Sequence, residues 1–165
     1  MKKLLLIMLV NILAIAFAAS QPISGTYAIQ NTVTNKNLRP YDAGGQNGNR
    51  IVSYDHVAWK CMTWDFINVK DSTYRLRNLF TSKTFQAKDT PAKQGSTLEQ
   101  QPLSATETQQ WEFIKISKNA YFIRLKGTDL YITAASDDTN SDIILQAKQK
   151  NALQTWRLVA QKPTM

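Results

Sequence analysis

The aromatic residues of this chain recur at one interval. Trp64, Trp111 and Trp156 open WDF, WEF and WRL at separations of 47 and 45 residues, and Tyr27, Tyr74 and Tyr121 open YAIQN, YRLRN and YFIRL at 47 residues each time. Two independent landmarks on one period identify a threefold internal repeat, running over about 23–69, 70–116 and 117–160. Such a repeat constrains the fold more than any single motif does. Whatever one repeat builds the other two must build as well, and all three must share a core.

Each repeat reads as strands. TYAIQNTV, STYRLRNL and AYFIRL alternate apolar and polar residues and are rich in aromatic and β-branched side chains, as half-buried strands are. Turn-rich segments follow at DAGGQNGN, DTPAKQGS and SDDTNSD, then short apolar runs, then the strand that begins with Trp. No apolar stripe at helical spacing occurs after residue 20. The expectation is an all-β chain of about twelve short strands, four per repeat, closed around a pseudo-threefold axis. Closure gives the repeats one core and removes sheet edges that would invite aggregation. Trp64, Trp111 and Trp156 are then structural anchors, large rings that fill the core while each N–H finds a partner. Gln109 and Gln154, two residues before Trp111 and Trp156, are placed to hydrogen-bond the turn ahead of the last strand of their repeats.

Residues 1–19 read as a segment apart from the fold. Lys2 and Lys3 precede an apolar run from Leu4 to Phe17, and Ala16-Phe17-Ala18 fits a small-residue cleavage site, the pattern of a secretory signal peptide. The run is short for a transmembrane helix, which needs roughly 20 residues, and no later stretch is apolar enough to span. The expected product is a secreted or periplasmic protein with a single domain over 20–165. Absence of an N-x-[ST] sequon there fits a bacterial source. The whole chain carries 20 basic and 12 acidic residues; without Lys2 and Lys3 the net charge is +6. That charge mildly favours acidic partners such as anionic glycans. Its cations are scattered, with no basic run or basic helix to suggest nucleic acid. Cys61 is the only cysteine, so no disulfide framework exists, and it reads as a small buried apolar residue.

The chain resembles the ricin B-type, or QxW, β-trefoil lectin domains. The resemblance is carried by Gln109-Gln110-Trp111, Gln154-Thr155-Trp156, the altered Met62-Thr63-Trp64, and the loops with Gly48 and Gly95. It implies a β-trefoil and, in each repeat, a shallow sugar pocket made from an Asp, a mid-strand polar residue, an aromatic platform and a polar residue near QxW. Counting from the loop glycines in the first two repeats and from Trp in the third, the Asp position falls on Arg39, Gln86 and Tyr131. The mid-strand position falls on Val52, Glu99 and Ile144, and the aromatic position on Tyr54, Gln101 and Gln146. The residues before Trp are Cys61 and Met62, Thr108 and Gln109, Leu153 and Gln154.

No repeat keeps the whole set, and the Asp is absent from all three. A carboxylate orients a sugar by accepting two hydroxyls, and a hydrogen bond to a charged group contributes roughly 1.5–3 kcal/mol. Its loss makes galactose the less expected ligand. Asp42 and Asp89 lie three residues further on, where turn roles are the ordinary use of Asp. The second repeat is the most polar, with Gln86, Glu99, Gln101, Thr108 and Gln109, and ranks first as a sugar site. The first repeat offers Tyr54 for stacking beside Arg39, a pair suited to an acidic sugar, and ranks second. In the third, Tyr131 is a possible stacking ring and Gln146 a polar contact.

Other chemistry finds little footing. His56 is the only histidine, and beside Asp55 it lacks the nucleophile or second carboxylate that acid–base catalysis needs. Asp137, Asp138 and Asp142 lack the fixed spacing and Gly of a calcium loop, and no cluster of His or Cys suits a transition metal. Nothing calls for a cofactor or an enzyme. The expectation is a non-catalytic carbohydrate-binding module, weak per pocket and strengthened by multivalency. Two other classes stand beside it: a protein-binding trefoil acting through loops, as a protease inhibitor or adhesin-like module, and a structural domain with vestigial pockets.

Overall fold

The computed structural model describes residues 21–149 and 151–164, so the N-terminal segment read as a signal peptide lies outside the described residues. Twelve strands occur among them, four in each repeat. The first repeat holds β1 (Thr26–Asn31), β2 (Asn37–Pro40), β3 (Ile51–Tyr54) and β4 (Trp64–Lys70). The second holds β5 (Thr73–Asn78), β6 (Thr84–Ala87), β7 (Leu98–Gln101) and β8 (Trp111–Ser117). The third holds β9 (Ala120–Leu125), β10 (Leu130–Ala134), β11 (Ile143–Ala147) and β12 (Trp156–Ala160).

All pairings are antiparallel. β1, β4, β5, β8, β9 and β12 pair each with the next, and β12 returns to β1, closing a six-stranded barrel. The hairpins β2–β3, β6–β7 and β10–β11 cap it. This is the β-trefoil that the repeat demanded. Closure satisfies the edges of the barrel strands, and the alternation along each strand sends one face inward. Trp64, Trp111 and Trp156 are each 0% exposed, packed with Ile29, Leu76 and Ile123 from the barrel and with Leu38, Phe85 and Ile132 from the caps.

The tryptophans differ in one respect. Trp64 Nε1 donates to the Leu38 carbonyl at 3.1 Å and Trp156 Nε1 to the Ile132 carbonyl at 2.9 Å. Trp111 Nε1 is buried with no partner. At the corresponding cap position the second repeat has Phe85, whose ring lies between Trp64 and Trp111 at centroid distances of 5.0 and 5.1 Å.

The loops that follow β2, β6 and β10 lock the caps together in a cycle. Gly48 N and Gln100 N bond across from the first repeat to the second, through the Gln100 and Asn49 carbonyls. Gly95 N and Leu145 N do the same from the second repeat to the third, and Asn140 N and Ser53 N from the third back to the first. Each loop needs a left-handed residue three positions before its next strand. Gly48 (φ 77) and Gly95 (φ 86) supply it in two repeats, and Asn140 (φ 65) in the third. Asn is among the few L residues that adopt this conformation readily.

Another repeated residue turns the chain out of the first strand of two repeats. Asn78 is fully buried, and its Oδ1 accepts from Phe80 N and Thr81 N while Nδ2 donates to the Cys61 carbonyl at 2.9 Å. Asn31 makes the same contacts to Val33 N, Thr34 N and the Ala152 carbonyl. Asn78→Ala strands these buried groups, and urea denaturation is expected to show a loss of about 2–3 kcal/mol. A loss below about 1 kcal/mol would mean that the turn holds without it.

Candidate sugar-binding face of the second repeat

The outer faces of the three cap hairpins carry the candidate residues. Cα pairing places Arg39 opposite Val52, Gln86 opposite Glu99, and Thr133 opposite Ile144. One step along the same faces, Asn37 pairs with Tyr54, Thr84 with Gln101, and Tyr131 with Gln146. The positions assigned from the sequence to β3, β7 and β11 therefore stand in register.

The third-repeat residue of β10 needs correcting. Thr133, not Tyr131, corresponds to Arg39 and Gln86. The cause is a loop two residues shorter: Ala87 to Leu98 is 11 positions and Ala134 to Ile143 only nine. Counting back from Trp carries that deletion into β10, whereas counting forward from Tyr27, Tyr74 and Tyr121 gives 12 positions in every repeat. Nor does Tyr131 offer an open stacking face. It is 6% exposed and meets the Phe122 ring edge-on at 5.8 Å.

In the second repeat Gln86 stands opposite Glu99 with Gln101 bonded to Glu99, and Thr108 lies on the 3-10 turn that carries Gln109. Gln86, Glu99 and Gln101 are half-buried and Thr108 is exposed. Gln109 stands behind them, 2% exposed. It ends a 3-10 turn, Glu107–Gln109, which aims its amide back under the hairpin. Its Oε1 accepts from Ser104 N at 2.7 Å and Ser104 Oγ at 3.0 Å. Its Nε2 donates to Gln86 Oε1 and to the Pro102 carbonyl, each at 3.0 Å. Gln109 is thus a positioning residue rather than a direct contact. By holding Gln86 Oε1, it leaves the Gln86 amide nitrogen as a donor for a ligand.

Glu99 supplies the carboxylate that β6 lacks. Gln101 Nε2 donates to Glu99 Oε1 at 2.7 Å, which orients the group and leaves Oε2 to accept. A Cβ on Gly48 would lie 3.9 Å from that Oε2, an ordinary van der Waals contact, so the loop of the first repeat stands beside the carboxylate. Ser104, Thr106 and Thr108 link their hydroxyls in a chain, at 2.9 and 3.0 Å, beside the same turn. Ser104 and Thr106 carry no motif and escaped the sequence reading. Their hydroxyls matter only because the turn folds them next to Gln109.

The other two repeats differ. In the first, the Arg39 guanidinium lies 3.5 Å over the Tyr54 ring, so one face of that platform is already covered. In the third, Gln154 repeats the role of Gln109: it accepts from Gln149 N at 2.8 Å and donates to Thr133 Oγ1 at 3.0 Å and the Ala147 carbonyl at 2.8 Å. Ile144 occupies the place of Glu99, and the Gln146 Oε1 is buried without a partner. Asp42 is an exposed loop residue, and Asp89 accepts from Ser96 Oγ at 2.7 Å as a turn residue. No group of three potential metal ligands occurs, and no helix is long and apolar enough to cross a membrane, among the described residues.

Comparison with solved structures gives the same architecture. The designed threefold-symmetric protein ThreeFoil superposes with a TM-score of 0.78 at 18% identity, over 82% of this chain and 98% of that one. The ricin B-like lectin of Macrolepiota procera, solved in complex with lactose, gives 0.70 at 20% identity, over 85% and 99%. An exo-β-1,3-galactanase from Clostridium thermocellum gives 0.77 at 21% identity over 81% of this chain, which spans only 30% of that enzyme. At such identities the likeness establishes the fold. No curated protein matches in sequence. A family model, the ricin-type beta-trefoil lectin domain-like family, matches residues 58–147. That stretch is more than half of the chain and includes the whole second repeat, and with the closed trefoil around it the chain belongs to the ricin-type β-trefoil lectin domain-like family.

Proposed function

We propose that the protein is a non-catalytic carbohydrate-binding module whose main site is the outer face of β6–β7. The observation that carries this reading is the Glu99 carboxylate, set opposite Gln86 and held by Gln101. A sugar is recognised by donors and acceptors fixed in place before it arrives, because ordering them on binding would cost affinity. Here the acceptor, the Gln86 amide donor and the Thr108 hydroxyl are carried on one hairpin and one turn. The carboxylate comes from β7 rather than from β6. The residues 1–19, read as an export signal ahead of a single trefoil over 20–165, support a secreted or periplasmic location. Membership of a lectin-like family supports glycans as the partner class.

A glycan array tests this directly. The purified protein is expected to bind a defined set of glycans, and the double variant Gln86→Ala, Gln101→Ala to lose that binding while its circular dichroism stays unchanged. Binding retained by the variant would move the main site to another repeat. No binding by the parent on any glycan would end the carbohydrate reading and turn attention to protein partners of the loops.

A further inference from the structure

The three cap hairpins close one end of the barrel, and among the described residues no hairpin covers the other. Aromatic side chains stop that end instead. Phe66 meets Tyr27 and Tyr74 edge-on, each at 5.6 Å, and Phe113 meets Tyr74 at 5.5 Å and Tyr121 at 6.0 Å. Ile23, which leads into β1, packs against the core here, and its N–H donates to the Tyr74 hydroxyl at 2.8 Å. Ile23, Tyr27 and Tyr121 all stay partly exposed.

Two turns rim this end, β4 to β5 and β8 to β9, and both hairpins carry the same irregularity. Asn68 pairs with Tyr74 and Lys70 with Thr73, which leaves Val69 out of the ladder. Lys115 pairs with Tyr121 and Ser117 with Ala120, which leaves Ile116 out. A bulge of this kind bends the strand and re-aims the extra side chain. Val69 is 40% exposed and Ile116 47%, and they follow Trp64 and Trp111 at the same spacing. The third repeat has no such turn. Its corresponding residue is Gln161, which accepts from Thr63 Oγ1 at 2.6 Å. The two turns are neighbours: Phe113 N bonds to the Ser72 carbonyl at 2.9 Å, so Ile116, three residues further along β8, lies about 10 Å from the first turn.

Cations scattered in the sequence come together around these tips. Lys70, Lys115 and Lys118 are exposed on the two turns, and the ion pairs among the described residues engage other cations. Asp71 is the only carboxylate within 68–72 and 115–119. The carboxylates further up the same strands are already held, Asp65 by Arg77 and Glu112 by Arg124. Protruding aliphatic side chains ringed by unpaired positive charge match the boundary between anionic headgroups and acyl chains.

We propose that this end of the barrel docks on an anionic lipid bilayer. Val69 and Ile116 enter the headgroup boundary while Lys70, Lys115 and Lys118 lie among the lipid phosphates. The shape of the surface favours lipid over a folded partner. A stable protein interface buries roughly 800 Å² per side, far more than two aliphatic side chains offer, whereas a bilayer accommodates whatever protrudes into it. The glycan face lies on the cap hairpins at the opposite end, so the two contacts do not compete and neither reading depends on the other.

The test is co-sedimentation of residues 20–165 with vesicles of equal phosphatidylglycerol and phosphatidylcholine, and with vesicles of phosphatidylcholine alone. Residues 1–19 are left out because their apolar run would bind lipid by itself; all twelve strands remain. Three lysines against one aspartate leave two net charges, each contributing about fivefold, so binding to the anionic vesicles at low salt is expected to be roughly thirtyfold stronger, and to weaken as salt is added. The double variant Val69→Ser, Ile116→Ser is expected to lose about tenfold in affinity for the anionic vesicles, and Lys70→Gln, Lys118→Gln about twentyfold. The pair Lys60→Gln, Lys88→Gln removes exposed lysines elsewhere on the molecule and should change little. All of these are exposed positions, so circular dichroism should be unaltered. Failure of the parent to bind anionic vesicles, or binding that the Val69 and Ile116 changes leave intact, overturns the proposal. So does an equal loss from Lys60→Gln, Lys88→Gln, which would mean diffuse charge attraction. A concentration-dependent dimer abolished by Val69→Ser, Ile116→Ser would assign the surface to a second copy of the chain and overturn it as well. Glycan-array binding should be the same for every variant, so the lipid and carbohydrate readings fail separately.

Discussion

Trp156→Ala is expected to remove about 4–6 kcal/mol of stability, of which about 3–5 kcal/mol is the cavity left by a fully buried ring and about 1 kcal/mol the lost bond to the Ile132 carbonyl. Small domains have about 5–15 kcal/mol in total, so the variant should be largely unfolded or close to it. Urea denaturation followed by circular dichroism measures this. Trp111→Ala provides an internal control. Its indole N–H has no partner, so its loss should be about 1 kcal/mol smaller than that of Trp156→Ala, the hydrogen-bond part alone. Equal losses in the two variants would show that the Trp156 bond contributes nothing net. A loss under about 2 kcal/mol in either would contradict the role of these rings as anchors of the shared core.

Glu99→Gln is expected to weaken glycan binding by roughly tenfold to a hundredfold, the effect of removing the charge from an acceptor of sugar hydroxyls. The substitution keeps the shape of the side chain. Its amide oxygen can still accept from Gln101 Nε2, as Glu99 Oε1 does now at 2.7 Å, so the hairpin should stay as it is. Calorimetry with whichever glycan the parent binds reads the change in Kd, and thermal denaturation should show the same Tm for both proteins. An unchanged Kd would mean that the carboxylate does not touch the sugar and that the polar face of β6–β7 is not the main site. A lower Tm together with a weaker Kd would point instead to a structural role.

Some of this was legible in the chain before any fold was known. The Tyr and Trp landmarks mark the first and last strands of each repeat, and their period demands three equivalent lobes. Gln109 and Gln154 were correctly tied to the turns they brace. Thr133 was obscured by a two-residue deletion in the third loop, which shifts any count made from Trp. Asn140 was obscured because the left-handed position carries glycine in the other repeats, and Asn substitutes for it by conformation rather than by identity. Trp59 and Phe80, which line one apolar cavity with Ala43 and Cys61, showed no spacing at all. They meet because the turn after β5 belongs to the second repeat but folds against the last turn of the first, with Leu79 N bonded to the Thr63 carbonyl.

The sequence by itself determined the class of fold, since alternation along strands and a recurring large anchor are properties of the local chain, and three copies have only a closed arrangement in which to bury them. Which outer face remains open to a ligand was decided by the tertiary structure. That depends on what lies across the ladder and what the neighbouring repeat's loop brings: Glu99 opposite Gln86, Ile144 opposite Thr133, and Arg39 laid over Tyr54 while Asn140 reaches in from the third repeat. Residues far apart in the chain set the polarity and exposure of each face, and such pairings exist only once the barrel has closed.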